Sequence, residues 1–219
     1  LAKVAQLREG YDFVAVVIDA PPYDRVKIFP EYKAQRPLQP ASFHEQFRRV
    51  LERIEADGLA CWSVPGAEAD DICASAVRRA QDDDCDVVIA SGDKDLLQLV
   101  NERVRVLSPA TGEMYGLAEV RAKFGVAPAQ MLDALSLMGD ASDNIPGIAG
   151  IGPKTAEKLL ANFCDLDGIL RAANEHDPRI TPKICEAIIA GTDLAGVAKK
   201  LVTLRSDLEI PWEQIYERK

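Results

Sequence analysis

Two patterns of apolar residues divide this chain, and they change over near residue 116. Before it, short unbroken apolar runs alternate with longer stretches at helical spacing. Phe13-Val14-Ala15-Val16-Val17-Ile18 is continuous and rich in β-branched residues. Such a run predicts a strand covered on both faces, as in a parallel sheet. Val87-Val88-Ile89-Ala90 is a second run of this kind. Between them the spacing of Phe43, Phe47, Val50, Leu51 and Ile54 predicts a helix over 43–57, stopped near Gly58. A short strand over 59–64 and a helix from 68 to about 81 follow. Beyond the second run come a short helix carrying Leu96, Leu97 and Val100, then a strand over 104–107 with Met114-Tyr115 as its partner across Thr111-Gly112. Strands alternating with helices mean an α/β fold with a mainly parallel central sheet and flanking helices. After 116 the periodicity is helical, over 117–124, 128–138, 155–163, about 165–173, 182–190 and 193–204, with 208–210 as a terminal strand. At the other end, Val4 and Leu7 followed by Gly10 read as the close of a helix. The expected division is an α/β core at 1–116 and a helical region at 117–219.

Composition changes this picture little, and charge complicates it. The 219 residues are 47% hydrophobic and 28% charged, enough to bury a core. No apolar run is long enough to span a membrane and no signal peptide is visible. The chain opens on Leu1 in mid-pattern, as a fragment or trimmed chain would. Cysteines 61, 73, 85, 164 and 185 form no CxxC pair, which points to reduced thiols in a cytosolic setting rather than zinc or disulfides. His44 and His176 are isolated, so HExxH zinc chemistry is excluded and a Ser-His-Asp site has no support. The net charge of −9 argues against nucleic acid as a partner. That objection weakens if the acids are gathered at one point and offset by bound cations.

The acids are indeed gathered. Glu68-Ala69-Asp70-Asp71 puts three carboxylates at a helix start, where the helix dipole favours them. Asp93 and Asp95 stand in Ser91-Gly92-Asp93-Lys94-Asp95, just past the second strand run. Asp140 and Asp143 stand in Gly139-Asp140-Ala141-Ser142-Asp143-Asn144, and Asp19 closes the first strand run. The carboxyl edge of an open α/β sheet is where ligands bind. Oxygen donors without Cys or His select hard cations, Mg²⁺ or Mn²⁺, and two such ions together serve phosphoryl transfer to water. Residues 21–42 add basic side chains, Arg25, Lys27, Lys33 and Arg36, interleaved with Tyr23, Phe29 and Tyr32 among prolines. That mixture suits a phosphate backbone and unstacked bases. The glycine-rich turn 145–154 leads into a helix at Thr155; its glycines allow close backbone approach, and its free N–H groups and Lys154 suit a phosphate.

Glu-Ala-Asp-Asp, Ser-Gly-Asp-Lys-Asp and Gly-Asp-Ala-Ser-Asp-Asn-Ile-Pro-Gly-Ile-Ala-Gly-Ile-Gly-Pro-Lys-Thr-Ala, in this order and spacing, resemble the structure-specific 5′-nucleases. The likeness is greatest to the 5′→3′ exonuclease/flap endonuclease domain of bacterial family A DNA polymerases and its free-standing relatives, and it covers nearly the whole chain. It implies a PIN-like 5′-nuclease fold with an arch over about 21–42 and a helix–hairpin–helix element over about 131–163. It implies a metal site built from Asp19, Glu68, Asp70, Asp71, Asp93, Asp95, Asp140 and Asp143, holding two Mg²⁺ or Mn²⁺ ions. Tyr32-Lys33-Ala34-Gln35-Arg36-Pro37 is similar to the arch motif. There Arg25, Lys33 and Arg36 would hold the scissile phosphate and the 5′ strand, and Tyr32 would stack on a base. Gly147, Gly150, Gly152, Lys154 and Thr155 would hold duplex backbone, with K⁺ bound mostly by main-chain oxygens. The implied activity is cleavage near the 5′ end of flapped, nicked or overhanging DNA. The implied protein is a cytoplasmic monomer, bacterial or phage-encoded, working with a DNA polymerase, fused or separate, and with no membrane. Members of the family begin with an earlier strand and another metal-binding aspartate, near the middle of the sheet, which this chain lacks. The other reading is therefore a nuclease-derived module that binds DNA junctions and cleaves weakly or not at all.

Overall fold

A computed structural model describes residues 9–217; the expected helix end at 1–10 lies mostly outside them. In chain order the elements are β1 (Ala15–Val17), the single-turn α1 (Arg25–Ile28), α2 (Ala41–Ala56), β2 (Ala60–Trp62), α3 (Ala69–Asp82) and β3 (Val87–Ala90). A 3₁₀ turn (Asp95–Leu99), β4 (Val104–Leu107), β5 (Met114–Tyr115) and α4 (Leu117–Phe124) follow. After a second 3₁₀ turn (Pro128–Gln130) come α5 (Met131–Met138), α6 (Pro153–Phe163), α7 (Leu166–Asn174), α8 (Pro182–Ala190), α9 (Thr192–Val202) and α10 (Gln214–Glu217).

These elements form two compact units. The first takes Leu1–Asp24, Arg36–Asp84 and Arg205–Lys219. In it β1 pairs with β2 in parallel, Ala15 opposite Ala60 and Val17 opposite Trp62. Trp62 and Ile72 lie at the centre of its core, with Phe13, Val17, Leu208, Ile210 and Trp212 packed against them. The segment 208–210, expected as a terminal strand, pairs with no strand among the described residues. It is fixed instead by side chains, the Leu208 N–H donating to Ser75 Oγ at 3.2 Å and the Trp212 indole to Asp83 at 2.6 Å. β1 is only half-buried along its length, against the expectation of burial on both faces, because β2 is its one ladder partner among the described residues. The apolar stripe of α2 also departs from expectation. Ile54 is its one buried member, while Phe43 and Phe47 stack on each other with ring centroids 6.1 Å apart and stay exposed.

The second unit takes Arg25–Gln35 and Cys85–Leu204. β3 and β4 run parallel, Val87 opposite Val104, and β5 returns antiparallel on β4, as the turn at Thr111-Gly112 predicts. The helices α4 to α9 fall where the periodicity places them, within a few residues at each end. Their buried faces carry Leu135, Leu137, Leu160, Leu166, Ile169, Ile188 and Leu201, each 2% exposed or less. Burying one such side chain stabilises by about 1.5–3 kcal/mol, which is what holds short helices that would be marginal alone. Compactness thus groups β3–β5 with the helices rather than with β1 and β2. No helix among the described residues is long and apolar enough to cross a membrane.

Candidate metal centre and nucleic-acid interface

In the first unit the carboxylates collect where β1 ends and α3 begins. Asp19 lies two residues past the end of β1, and its Oδ1 accepts the Ala69 N–H at 2.7 Å. Ala69 is the first residue of α3, so this bond satisfies one of the amides a helix start leaves open. Oδ2 of Asp19 accepts the Tyr23 hydroxyl at 3.1 Å. Burial, with the charge of Asp19 next, pushes the Tyr23 hydroxyl up to about 12, so it stays a donor at neutral pH. Glu68 caps α3 and is buried. Asp71 is 1% exposed, its Oδ2 accepting the Glu68 N–H at 3.2 Å and its Oδ1 the Arg205 N–H at 2.9 Å. Both its oxygens thus accept backbone amides, which fastens the returning chain to the start of α3. Asp70 is half-buried on the first turn.

In the second unit lysine ammoniums reach two of the carboxylates, Asp140 and Asp143. Asp93 and Asp95 follow β3, and Asp93 Oδ1 accepts the Asp95 N–H at 2.9 Å, closing the turn. Asp95 is buried, and its Oδ1 has no hydrogen-bond partner. Burial first, and then the charge of Asp93, push its carboxyl up to about 7. Asp140 stands on the loop after α5, bridged to Ile145 by two backbone bonds. Its Oδ1 accepts from the N–H and hydroxyl of Ser142 at 2.8 and 2.7 Å. Its Oδ2 receives Lys94 Nζ at 2.7 Å. Burial alone would raise the Asp140 carboxyl, but the bonds from Lys94 and Ser142 outweigh it and hold it below its ordinary range. Asp143 Oδ2 lies 3.5 Å from Lys33 Nζ and 3.4 Å from the Tyr32 hydroxyl. A buried carboxylate oxygen with no donor is costly unless a cation meets it, and all the donors are oxygens, so the residues present fit a hard divalent ion. Among the described residues no three His, Cys, Asp or Glu side chains stand at a spacing that already encloses one. Lysines occupy Asp140 and Asp143 instead.

The expected phosphate and base contacts divide. Lys33 is at left-handed φ (56°), and its ammonium lies 4.9 Å from the Tyr32 ring centroid. Arg36 is exposed. Arg25 is 7% exposed, with Nε donating to the Leu201 carbonyl at 2.7 Å and an Nη to that of Thr203 at 3.0 Å. It closes the last turn of α9, where carbonyls lack helical partners. Tyr32 is 5% exposed, and its hydroxyl and ring lie against Asp143 and Lys33. Two residues that the motifs did not single out emerge as partners: Tyr23 for Asp19 and Lys94 for Asp140. The one signal for Lys94 was its position between two acids.

The glycine-rich turn joins α5 to α6. A Cβ at Gly147 would sit 2.1 Å from the Met138 carbonyl oxygen, so only glycine permits that approach. Ile148 and Ile151 are buried and anchor the turn, while Gly150, at φ +81°, and Lys154 are exposed at its tip. Gly152 caps α6 and Pro153 takes its first position, and the Gly152 carbonyl accepts the N–H groups of Thr155 at 3.0 Å and Ala156 at 2.9 Å.

Residues 1–125 match the family of 5′-3′ exonuclease N-terminal resolvase-like domains, and 126–217 match the 5′-3′ exonuclease C-terminal SAM fold. A 5′-3′ exonuclease of Aquifex aeolicus is 37% identical over 204 residues, covering 93% of this chain and 68% of that protein. DNA polymerase I of Rhizobium leguminosarum is 40% identical over 186 residues, covering 85% of this chain and 18% of that protein. The chain thus spans about a fifth of the length of such polymerases. The T5 D15 protein co-crystallised with metal ions superposes with a TM-score of 0.81 at 25% identity, covering 94% of this chain and 81% of that one.

Proposed function

The chain belongs to the 5′-3′ exonuclease family, and on that footing we propose that it is a divalent-metal-dependent 5′→3′ exonuclease/flap endonuclease. Its substrate is DNA with a 5′ flap, nick or overhang, whose phosphodiester bonds it hydrolyses near the 5′ end. The observation that carries this reading is the buried, partnerless Asp95 Oδ1 beside Asp93, with Asp140 close enough to share Lys94. An orphaned carboxylate oxygen in an all-oxygen donor set calls for a hard cation. Asp93, Asp95, Asp140 and Asp143 would ligate Mg²⁺ or Mn²⁺, as would Asp19, Glu68 and Asp70; two ions in all suit this number of acids. Bound there, the ions would lower the pKa of the attacking water and offset charge on the phosphate oxygens.

The other groups position the substrate. Lys33 and Arg36 supply positive charge for the 5′ strand. Tyr32 orders Asp143 by hydrogen bonding. The turn with Gly147, Gly150, Gly152, Lys154 and Thr155 meets duplex phosphates through backbone N–H groups and one ammonium, and its main-chain oxygens would hold K⁺. The protein acts as a monomer in the cytoplasm, alongside a DNA polymerase that is fused or separate. The experiment is cleavage of end-labelled DNA carrying a 5′ flap, against the same duplex with a 3′ flap. Release of the 5′ flap with Mg²⁺, abolished by EDTA, is expected. Tight binding of the 5′ flap without cleavage at any Mg²⁺ or Mn²⁺ concentration would leave only the junction-binding reading.

A further inference from the structure

Lys94 stands between two acids in sequence, Asp93 and Asp95, and its ammonium reaches a third, Asp140, on another loop. Its Nζ is 2.7 Å from Asp140 Oδ2, with the Lys94 side chain 39% exposed and that of Asp140 8% exposed. Asp140 Oδ1 is already satisfied by Ser142, so Oδ2 is the oxygen left to meet a cation, and the lysine holds it. Asp93, Asp95 and Asp140 carry three negative charges if all are ionised, and Lys94 returns one. An ammonium at hydrogen-bond distance and a Mg²⁺ ion coordinated at about 2.1 Å compete for the same lone pairs.

We propose that Lys94 is the resident counter-ion of the Asp93–Asp95–Asp140 group, and that a divalent ion must displace it from Asp140 to bind. Lys94 therefore sets the metal threshold of the enzyme. It keeps the carboxylates from repelling one another when metal is scarce, and it weakens metal binding by the cost of moving its own charge away. This rests on the reading that these acids hold a divalent ion. A strut that merely aimed Asp140 at the metal would do the reverse, since its loss would weaken binding.

The test is Mn²⁺ binding to the whole chain without DNA, followed by electron paramagnetic resonance at fixed pH and ionic strength. Lys94→Gln, which can still donate a hydrogen bond, should bind Mn²⁺ about 10-fold more tightly, the scale of about 1.4 kcal/mol. Lys94→Met, which keeps the apolar stem, should show the same gain if the glutamine variant folds poorly. Lys94→Arg should stay within about threefold of the unsubstituted chain, since the charge is retained. In an Asp140→Asn background Lys94→Gln should gain less than about twofold, because the lysine no longer has its carboxylate to occupy. Equal or weaker Mn²⁺ binding in both the glutamine and methionine variants overturns the counter-ion role and leaves the metal site standing. No Mn²⁺ binding by any form, the unsubstituted chain included, overturns the metal site and the counter-ion role with it.

Discussion

The two carboxylate groups are built from similar residues and held in opposite ways. At the start of α3, Asp19 and Asp71 are bonded to backbone amides and to a tyrosine hydroxyl. The amide donors cannot leave without unfolding the turn, so that part of the geometry is set by the fold. After β3 and α5, Asp140 and Asp143 are met by lysine side chains, and one oxygen of Asp95 is met by nothing. Ammoniums on flexible stems can be exchanged for another cation, whereas amides cannot. A carboxylate is thus fixed or exchangeable according to its donor, and the residue type alone does not say which.

Substitutions should separate the two groups. The largest effect is expected for Asp93→Ala or Asp95→Ala, which should lower flap cleavage by at least ~10²-fold, the scale of losing one electrostatic stabiliser, while DNA binding survives. Full activity in both variants would remove the exchangeable group from the chemistry. Asp71→Ala should cost about 2–4 kcal/mol of stability, since the buried Glu68 amide and the part-buried Arg205 amide lose their acceptor. Its melting temperature should fall by several degrees with or without Mn²⁺; restoration by metal would mean that Asp71 is exchangeable too.

A pH comparison is the next smaller. The Asp95 carboxyl is pushed to about 7, above the ~3.9 of an unfolded aspartate. The folded chain therefore holds this proton more tightly, and ionising it as pH rises from about 4 to 7 destabilises the fold. The loss through this one group is at most about 4 kcal/mol, complete above pH 7. With a chelator present, the melting temperature of Asp95→Asn should gain on the unsubstituted chain between pH 5 and 7.5, and saturating Mn²⁺ should narrow the gap. Parallel curves would show that Asp95 is as settled as the amide-held acids. The smallest effect is expected for Tyr23→Phe, at most about 1 kcal/mol, because Asp19 keeps its Ala69 amide and is open to water.

Much of this was legible along the chain. Periodicity located the helices after 116 and the β3, β4 and β5 strands, since each is set by local spacing and by turn residues such as Gly112 and Gly125. The motifs named the carboxylates, since oxygen-only donors in three clusters already specify a hard cation. Burial was less legible. The stripe of α2 and the run around β1 have core-like composition, yet whether a partner covers them depends on elements distant in sequence.

The sequence by itself determined most of the elements, the acid-bearing motifs and the family the chain belongs to. Only the tertiary structure decided what holds each acid. Asp71 is claimed by the Arg205 amide, Asp140 by Lys94, and Arg25 by the carbonyls that end α9. None of these pairings lies within a turn of helix or a hairpin, where spacing dictates contact. They are chosen by which long-range arrangement satisfies the most buried polar groups, and a local pattern of residue types carries no record of that choice.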